Sequence, residues 1–564
     1  MLNARQPRFQ ALSSHARRWF SIGLRFAIAF LNWGLDKFPI VGRDAFGRRR
    51  AVVLEPFVKV TSLAGSLILL VLAATLPLFC LIYGFFFALS VPYIIVPFVI
   101  PIAFLGILVI WSLPDQKTAP TFGLELLLPA FMIVLVLWPD YLAISLPGLP
   151  WITLLRLTGF PMTALLLVCL SVSDRFRKEV RNSLGASKPL TGFLFAFVAI
   201  QILTIPFSDH LLASAQLVFA HQVNWTCVFV ISCLLFRDIR YVERYFALLV
   251  GLAVALTPVM FYETFRRHTP WMSHIPGFLK VPDGFIALVL KPNIRIFVDR
   301  YRAKATFYTP LGTAEFLSLM TPLFLHFAFS NIRPVLRIGV WLTIPLLFAA
   351  VWFTDSRLGM VGLLVTLVLY GFLWSIVRWR ARQRDLVAAA MVYAYPALAA
   401  AFIGLISASG KARVMILGGQ AQASSNEMRD SQLTLALHAL SKQPVGFGAG
   451  QSGPSLGLPP GDFISVDNYF ITIAMDYGFL GAFLWYGIFV VGIFEAVRCC
   501  LSRETADKPE ARLLAPLAVS LTGLLILKWV HGQDGNHPIF FMMLGMIAAL
   551  IYRLRQPQSP VLTR

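Results

Sequence analysis

The chain has 564 residues, 58% of them hydrophobic and 13% charged, and a mean hydropathy of +0.74. A soluble domain that apolar has no surface left to offer water, so the composition excludes one and defines a polytopic membrane protein. The formal charge of +21 does not point to nucleic acid, because most of it sits in short loops beside apolar runs, where a positive-inside bias and anionic lipid account for it.

Residues 1–59 form a basic arm, with Arg43, Arg48, Arg49 and Arg50, and read as a cytoplasmic amphipathic segment lying on the membrane. The arm holds a modest apolar patch, Phe20 to Trp33, and no cleavable leader. Apolar runs of about 20 residues, the length a spanning helix needs, then fall near 62–84, 90–112, 124–144, 152–173, 189–208, 214–236 and 245–265. Further runs lie near 309–329, 336–354, 357–377, 386–407, 479–497, 512–531 and 537–554. The expected fold is all-α, with roughly 12–14 transmembrane helices and one long periplasmic loop carrying short amphipathic helices. Residues 60–265 make an N-terminal bundle, 309–408 the central helices, and 479–564 the C-terminal helices and tail.

Basic loops set the orientation. Those following even-numbered spans, at 174–188, 237–244, 331–337, 378–384 and 498–512, are rich in Lys and Arg, as is the tail with Arg553, Arg555 and Arg564. The short opposite loops around Pro139, Asp209, Thr354 and Gln533 carry neither. Both termini are therefore expected inside. Two long loops fall outside, where length frees them from the charge rule. Residues 266–308 are basic, with Arg266, Arg267, Lys280, Lys291, Arg295, Arg300, Arg302 and Lys304, and 409–478 combine charge, glycine turns and an amphipathic helix.

In the second loop, Ser424 to Glu427 fits a capping box, Leu433, Leu437 and Leu440 recur on one helical face, and Lys442-Gln443-Pro444 ends the helix. Gly446, Gly448, Gly450 and Gly453 follow as loop, a hinge or a cover for a glycan. The run from Asp467 to Val497 is too long for one untilted span, and Gly478 offers a break. Asp467 to Tyr477 then lies along the outer interface, with Asp467 and Asp476 at the water boundary. Glu315 and His326 fall within the eighth span, where an ionisable group marks function or pairs with another helix. The six cysteines match no zinc or disulfide spacing and read as packing residues.

Three further clusters face outward: Arg302 to Pro310, Thr354 to Arg357, and Lys528 with the run His531 to His537. The planar donor fork of arginine matches two phosphate oxygens at once. Fixed cations at headgroup depth above an apolar groove suit a lipid-linked pyrophosphate. Glycosyl transfer from such a donor needs leaving-group charge stabilised and a base for the acceptor hydroxyl. Arg302, Arg357 and Arg429 are candidates for the first task and Asp467 for the second. Lys304, Asn468, Asp476, His438, Arg266 and Arg267 complete the candidate substrate contacts. Plainer readings stand beside these: an outer Arg can snorkel to headgroups, Arg357 can pair with Asp355, and His438 can simply pack.

These clusters resemble the O-antigen ligase and polymerase superfamily, bacterial inner-membrane glycosyltransferases acting on polyprenyl-pyrophosphate-linked glycans. The family's Arg-x-x-Gly-x-Phe-x-x-Pro looks like Arg302 to Pro310, with Ala305 in place of glycine, and its Ser-Arg-x-Gly matches Ser356, Arg357 and Gly359. Its His-Pro-x-Gly-x-Gly resembles Gln443 to Gly448, with Gln443 replacing histidine. Its Asn-x-(aromatic/Leu) followed by acid-x-Gly-x-x-Gly looks like Asn468 to Phe470, then Asp476, Gly478 and Gly481. The likeness covers about residues 300 to 500. It implies a metal-free, cofactor-free enzyme whose arginines neutralise the pyrophosphate, with membrane lipid, a flippase and a chain-length regulator as companions. Ligases of the family carry a histidine at or beside the position before that Asn, where this chain has Val466-Asp467, so the resemblance points to the polymerase branch. The alternatives are a ligase or O-linked protein oligosaccharyltransferase, and a transporter or flippase. Against a transporter, the sequence has no internal repeat and its charges cluster at one interface.

Overall fold

The computed structural model describes residues 41–43, 49–51, 75, 92–145, 151–281, 283–295, 299–381, 384–408, 410, 423–457, 466, 468–506 and 508–556. The chain divides into two compact units, 1–95 and 96–564. In the first, strands β1 (Val41–Arg43) and β2 (Arg49–Ala51) pair antiparallel, with Val41 opposite Ala51. The run expected at 62–84 lies, Thr75 apart, outside the described residues, as does Asp467.

Helix α1 (Pro92–Trp111) is followed by α2 (Phe122–Leu137), the hairpin β3 (Ala143–Ile144) and β4 (Ile152–Thr153), α3 (Leu154–Val172), the amphipathic α4 (Asp174–Gly185) and α5 (Lys188–Thr204). Then come α6 (Leu211–His221), α7 (Val228–Leu235) and α8 (Ile239–Arg266). A π-helical turn, Gln222–Cys227, joins α6 to α7, so that Leu211–Leu235 is one crossing. The basic loop contains α9 (Gly284–Leu290), β5 (Ile294–Arg295) and β6 (Arg300–Tyr301). Beyond it lie α10 (Pro310–Phe329), α11 (Pro334–Phe353), α12 (Arg357–Ala381), α13 (Leu386–Ala408), α14 (Ala423–Lys442), α15 (Ser452–Ser455), α16 (Tyr469–Leu501), α17 (Pro509–Leu527) and α18 (His537–Arg555). Among the described residues, 10 helices are long and apolar enough to cross a membrane, and shorter apolar stretches lie in α1, α2 and α13. The protein is an all-α, multi-pass membrane protein.

Local chemistry sets the helix starts. Proline opens α10, α11 and α17, where its missing N–H has no intrahelical partner to lose. Thr309 and Asn468 cap α10 and α16, their side chains accepting from Gly312 N and Phe470 N. Helices α10, α17 and α18 are nearly enclosed and pack on α12, α16 and α7, whereas α11 turns Val335, Leu336 and Leu342 outward. Small residues let the inner helices approach: a Cβ on Gly545 would sit 2.7 Å from the Phe229 carbonyl oxygen.

Two expectations for residues 409–478 need correction. Helix α14 already includes Ala423 and Ser424, so Ser424 is not its cap. Its buried face is Gln432, Ala436 and Leu440, while Leu433 and Leu437 are exposed. Ala436 and Leu440, four residues apart, pack against Ile471, Met475 and Leu456, and Leu433 and Leu437, one position round the helix, fall off that face. The break at Gly478 is where the sequence put it, with φ 72° and ψ 179°. Gly446 (φ 95°) and Gly478 sit back to back, where a Cβ on either would strike the other's backbone neighbours.

Candidate active site at one end of the helix bundle

The segment 302–309 stitches one end of the bundle together. Ala303 N donates to Phe353 O at 2.9 Å, joining the end of α11. Lys304 N and Ala305 N donate to Glu263 Oε2 on α8 at 2.8 and 3.0 Å. Thr306 Oγ1 donates to Val136 O on α2 at 2.6 Å, and Thr309 Oγ1 to Gln533 Oε1 at 2.7 Å. Tyr469 N at the start of α16 donates to Lys528 O at 3.1 Å. The 302–310 cluster therefore touches both other predicted clusters, since Arg302 Nε donates to Thr354 O at 3.3 Å.

At this end lies a cleft of about 400 Å³. Its walls come from the α2–α3 connection (Trp138, Asp140, Trp151), from α6 and the π turn (Leu217, His221, Asn224, Trp225), from Thr306 to Tyr308, and from His531 to Pro538. Such π turns interrupt a helix most often where a side chain must be re-aimed for function. The basic loop backs the cleft: Ile275, Val281, Ile286 and Val289 pack with Tyr141 and Leu142 against Trp138, Trp151 and Tyr308.

Beneath the cleft is a buried polar cluster. Lys528 Nζ pairs with Glu315 Oε1 at 3.0 Å, both side chains essentially unexposed, and donates to Gln533 O. Asn536 Nδ2 donates to Glu315 Oε2 at 2.8 Å and to Gly312 O at 2.9 Å, and His531 Nε2 is 3.8 Å from the same carboxylate. Burial holds His531 down at about 4, so its imidazole is neutral near pH 7. Asp534 reaches into the cleft with its side chain 49% exposed, 3.6 Å from His221 Nε2. Partial burial opposes its ionisation, but His221, His537 and Lys528 outweigh that and hold the carboxyl below the usual range. Burial pushes Asp140 the other way, above that range, against Thr153, Arg156 and Tyr308.

The candidate residues from the sequence divide between this end and elsewhere. Arg302 is half-buried here, and Arg357 is exposed on the first turn of α12, three residues past Thr354. Asp355 lies 3.5 Å from Arg300. Lys304 is turned inward instead of offering its charge: Nζ donates to Val289 O, and burial lowers it to about 8 despite Glu263. Arg267 pairs with Asp299 at 3.0 Å, and Arg266 is exposed at the end of α8. Arg429 is half-buried and His438 exposed on α14. Asn468 spends its side chain on the cap, accepting from Phe470 N at 2.8 Å. Asp476 is no open substrate contact: it accepts from Gly450 N at 3.0 Å, Gln451 N at 3.1 Å and Ser452 N at 2.9 Å. It thereby clamps the glycine-rich loop, which is fastened rather than hinged. His221, Trp225 and Asp140 went unnoticed in the sequence. A lone histidine inside an apolar run was the signal for the first.

A multi-pass helical membrane protein with polar groups gathered at one end of its bundle is the class that this geometry defines. Residues 342–486 match the family model described as O-Antigen ligase. That match supports the likeness to the O-antigen ligase and polymerase superfamily carried by Ser356-Arg357, the glycine loop, Asn468 and Asp476. No curated protein matches the chain.

Proposed function

We propose that the protein polymerises polyprenyl-pyrophosphate-linked oligosaccharide repeats of an O-antigen, capsule or exopolysaccharide at the periplasmic face of the inner membrane. The observation that carries this reading is the family match over 342–486, joined to Arg302 through its bond to Thr354 at the start of the matched Ser-Arg motif. An acceptor hydroxyl oxygen attacks the anomeric carbon of the donor. The bond to pyrophosphate breaks and carries its electron pair away, and the proton passes to a base, for which Asp467 is the candidate. Arg302, Arg357 and Arg429 neutralise the departing charge, the interaction that strengthens most in the transition state. No histidine precedes Asn468, which favours a polymerase. The family's printed description favours the second reading, a ligase transferring finished polymer.

Deleting the gene separates the readings. A missing polymerase leaves single repeats at the cell surface, a missing ligase leaves full-length polymer on the carrier, and a missing flippase leaves material on the cytoplasmic side. Arg302→Ala and Arg357→Ala, with membrane insertion verified, are expected to lower polymer yield by at least 10²-fold, on the scale of lost oxyanion-type contacts. Normal chain lengths in both variants overturn the assignment.

A further inference from the structure

The cleft has a chemistry distinct from that of the arginines. Among the described residues no Lys or Arg lines it, and its charge is acidic, from Asp534 and Asp140. The guanidinium nearest this lining, Arg156, donates to the Trp151 carbonyl behind it. Indole rings of Trp138, Trp151 and Trp225 supply flat apolar walls. Several buried polar atoms on this lining make no hydrogen bond, Trp138 Nε1, Asp140 Oδ1 and Asn536 Oδ1 among them, and His221 Nε2 has only the Asp534 carboxylate, at 3.6 Å. His221 and Asn536 are only 6% and 2% exposed. An unmade hydrogen bond at such depth costs about 1–3 kcal/mol per group, so the cleft is built for contents that both donate and accept. Flat C–H faces ringed by hydroxyls meet that description.

The direction of the His221 hydrogen bond is fixed from behind. Gln222 Nε2 donates to Val218 O at 3.3 Å and to Gln201 Oε1 at 2.8 Å, so the Gln201 Nε2 amide is left facing His221 Nδ1 at 3.2 Å, beside the Tyr477 hydroxyl at 3.1 Å. Nδ1 therefore accepts, and the ring proton sits on Nε2, toward Asp534. Stacking on Trp225, at 3.7 Å between centroids, holds the ring plane.

We propose that this cleft is a saccharide subsite for a neutral glycan, in which Asp534 accepts a hydrogen bond from a sugar hydroxyl and His221 positions Asp534. Assigning that glycan as the acceptor chain rests on the polymerase reading; saccharide binding itself does not. The test uses the full-length protein in nanodiscs and neutral oligosaccharide fragments released by mild acid from the cells' own surface polysaccharide. Saturation-transfer NMR is expected to show fragment signals with the wild type and at least tenfold weaker ones with Asp534→Asn and Trp151→Ala. Trp151→Phe, which keeps a ring, should retain them. Inorganic pyrophosphate should not compete. Equal signals across all variants, no signal with wild type, or displacement by pyrophosphate each overturn the subsite. Gene deletion that leaves the surface polysaccharide unchanged would instead sink the polymerase reading while leaving the binding result standing.

Discussion

Ala305 has φ 50°, at the position where the resemblance expects glycine. The two N–H groups of Lys304 and Ala305 both reach the Glu263 carboxylate, and that double bond imposes the left-handed turn whatever residue is present. An L side chain there costs on the order of 1 kcal/mol. Ala305→Gly should therefore raise stability by about that amount, read as a higher thermal midpoint in detergent; an unchanged or lower midpoint would show the turn to be unstrained. Asp476 makes the complementary case. Three backbone N–H groups converge on it, and asparagine would turn an N–H donor toward them. Asp476→Asn should cost on the order of 2 kcal/mol and open residues 446–457 to protease in limited digestion. An unchanged cleavage pattern would return Asp476 to the substrate contacts. Sequence alone could flag an acid beside Gly478, but not that the glycines before it would close on its oxygens.

At the scale of elements, much of the fold was written locally. Prolines and caps set the starts of α10, α11, α16 and α17, a signal that apolar length alone passes over, and Gly478 marked the break in α16. These signals act within one turn of chain, which is why they can be read there. The face of α14 was misread because its burial depends on Ile471 and Met475, far along the chain. Glu315 was visible as an ionisable residue in a span, and its partner came from α17's end. Removing one member of a buried ion pair strands the other, at about 3–5 kcal/mol. Lys528→Met is thus expected to abolish stable insertion or lower the thermal midpoint sharply, and adding Glu315→Leu should recover part of the loss. A single variant as stable as wild type would mean that the pair does not hold α10 to α17.

At the scale of the whole molecule, the cleft was the least legible feature. Its walls draw on residues between Leu135 and Pro538, and only the folded chain makes neighbours of His221 and Asp534. The sequence singled out arginines because a cation announces itself in an apolar chain, whereas tryptophans and a lone histidine merge with the core. One property of the cleft lining reaches further: none of its described residues falls within the matched stretch 342–486. Thr306 to Tyr308 of the lining lie in the Arg302–Pro310 motif, but the stretch that the family model matches contributes none of the described lining. A chimera that receives residues 342–486 from a homologue building a different polymer should still assemble the host's own repeat unit. Serology of the resulting surface glycan would read the outcome directly, and donor-type glycan would show that choice of sugar travels with the exchanged block.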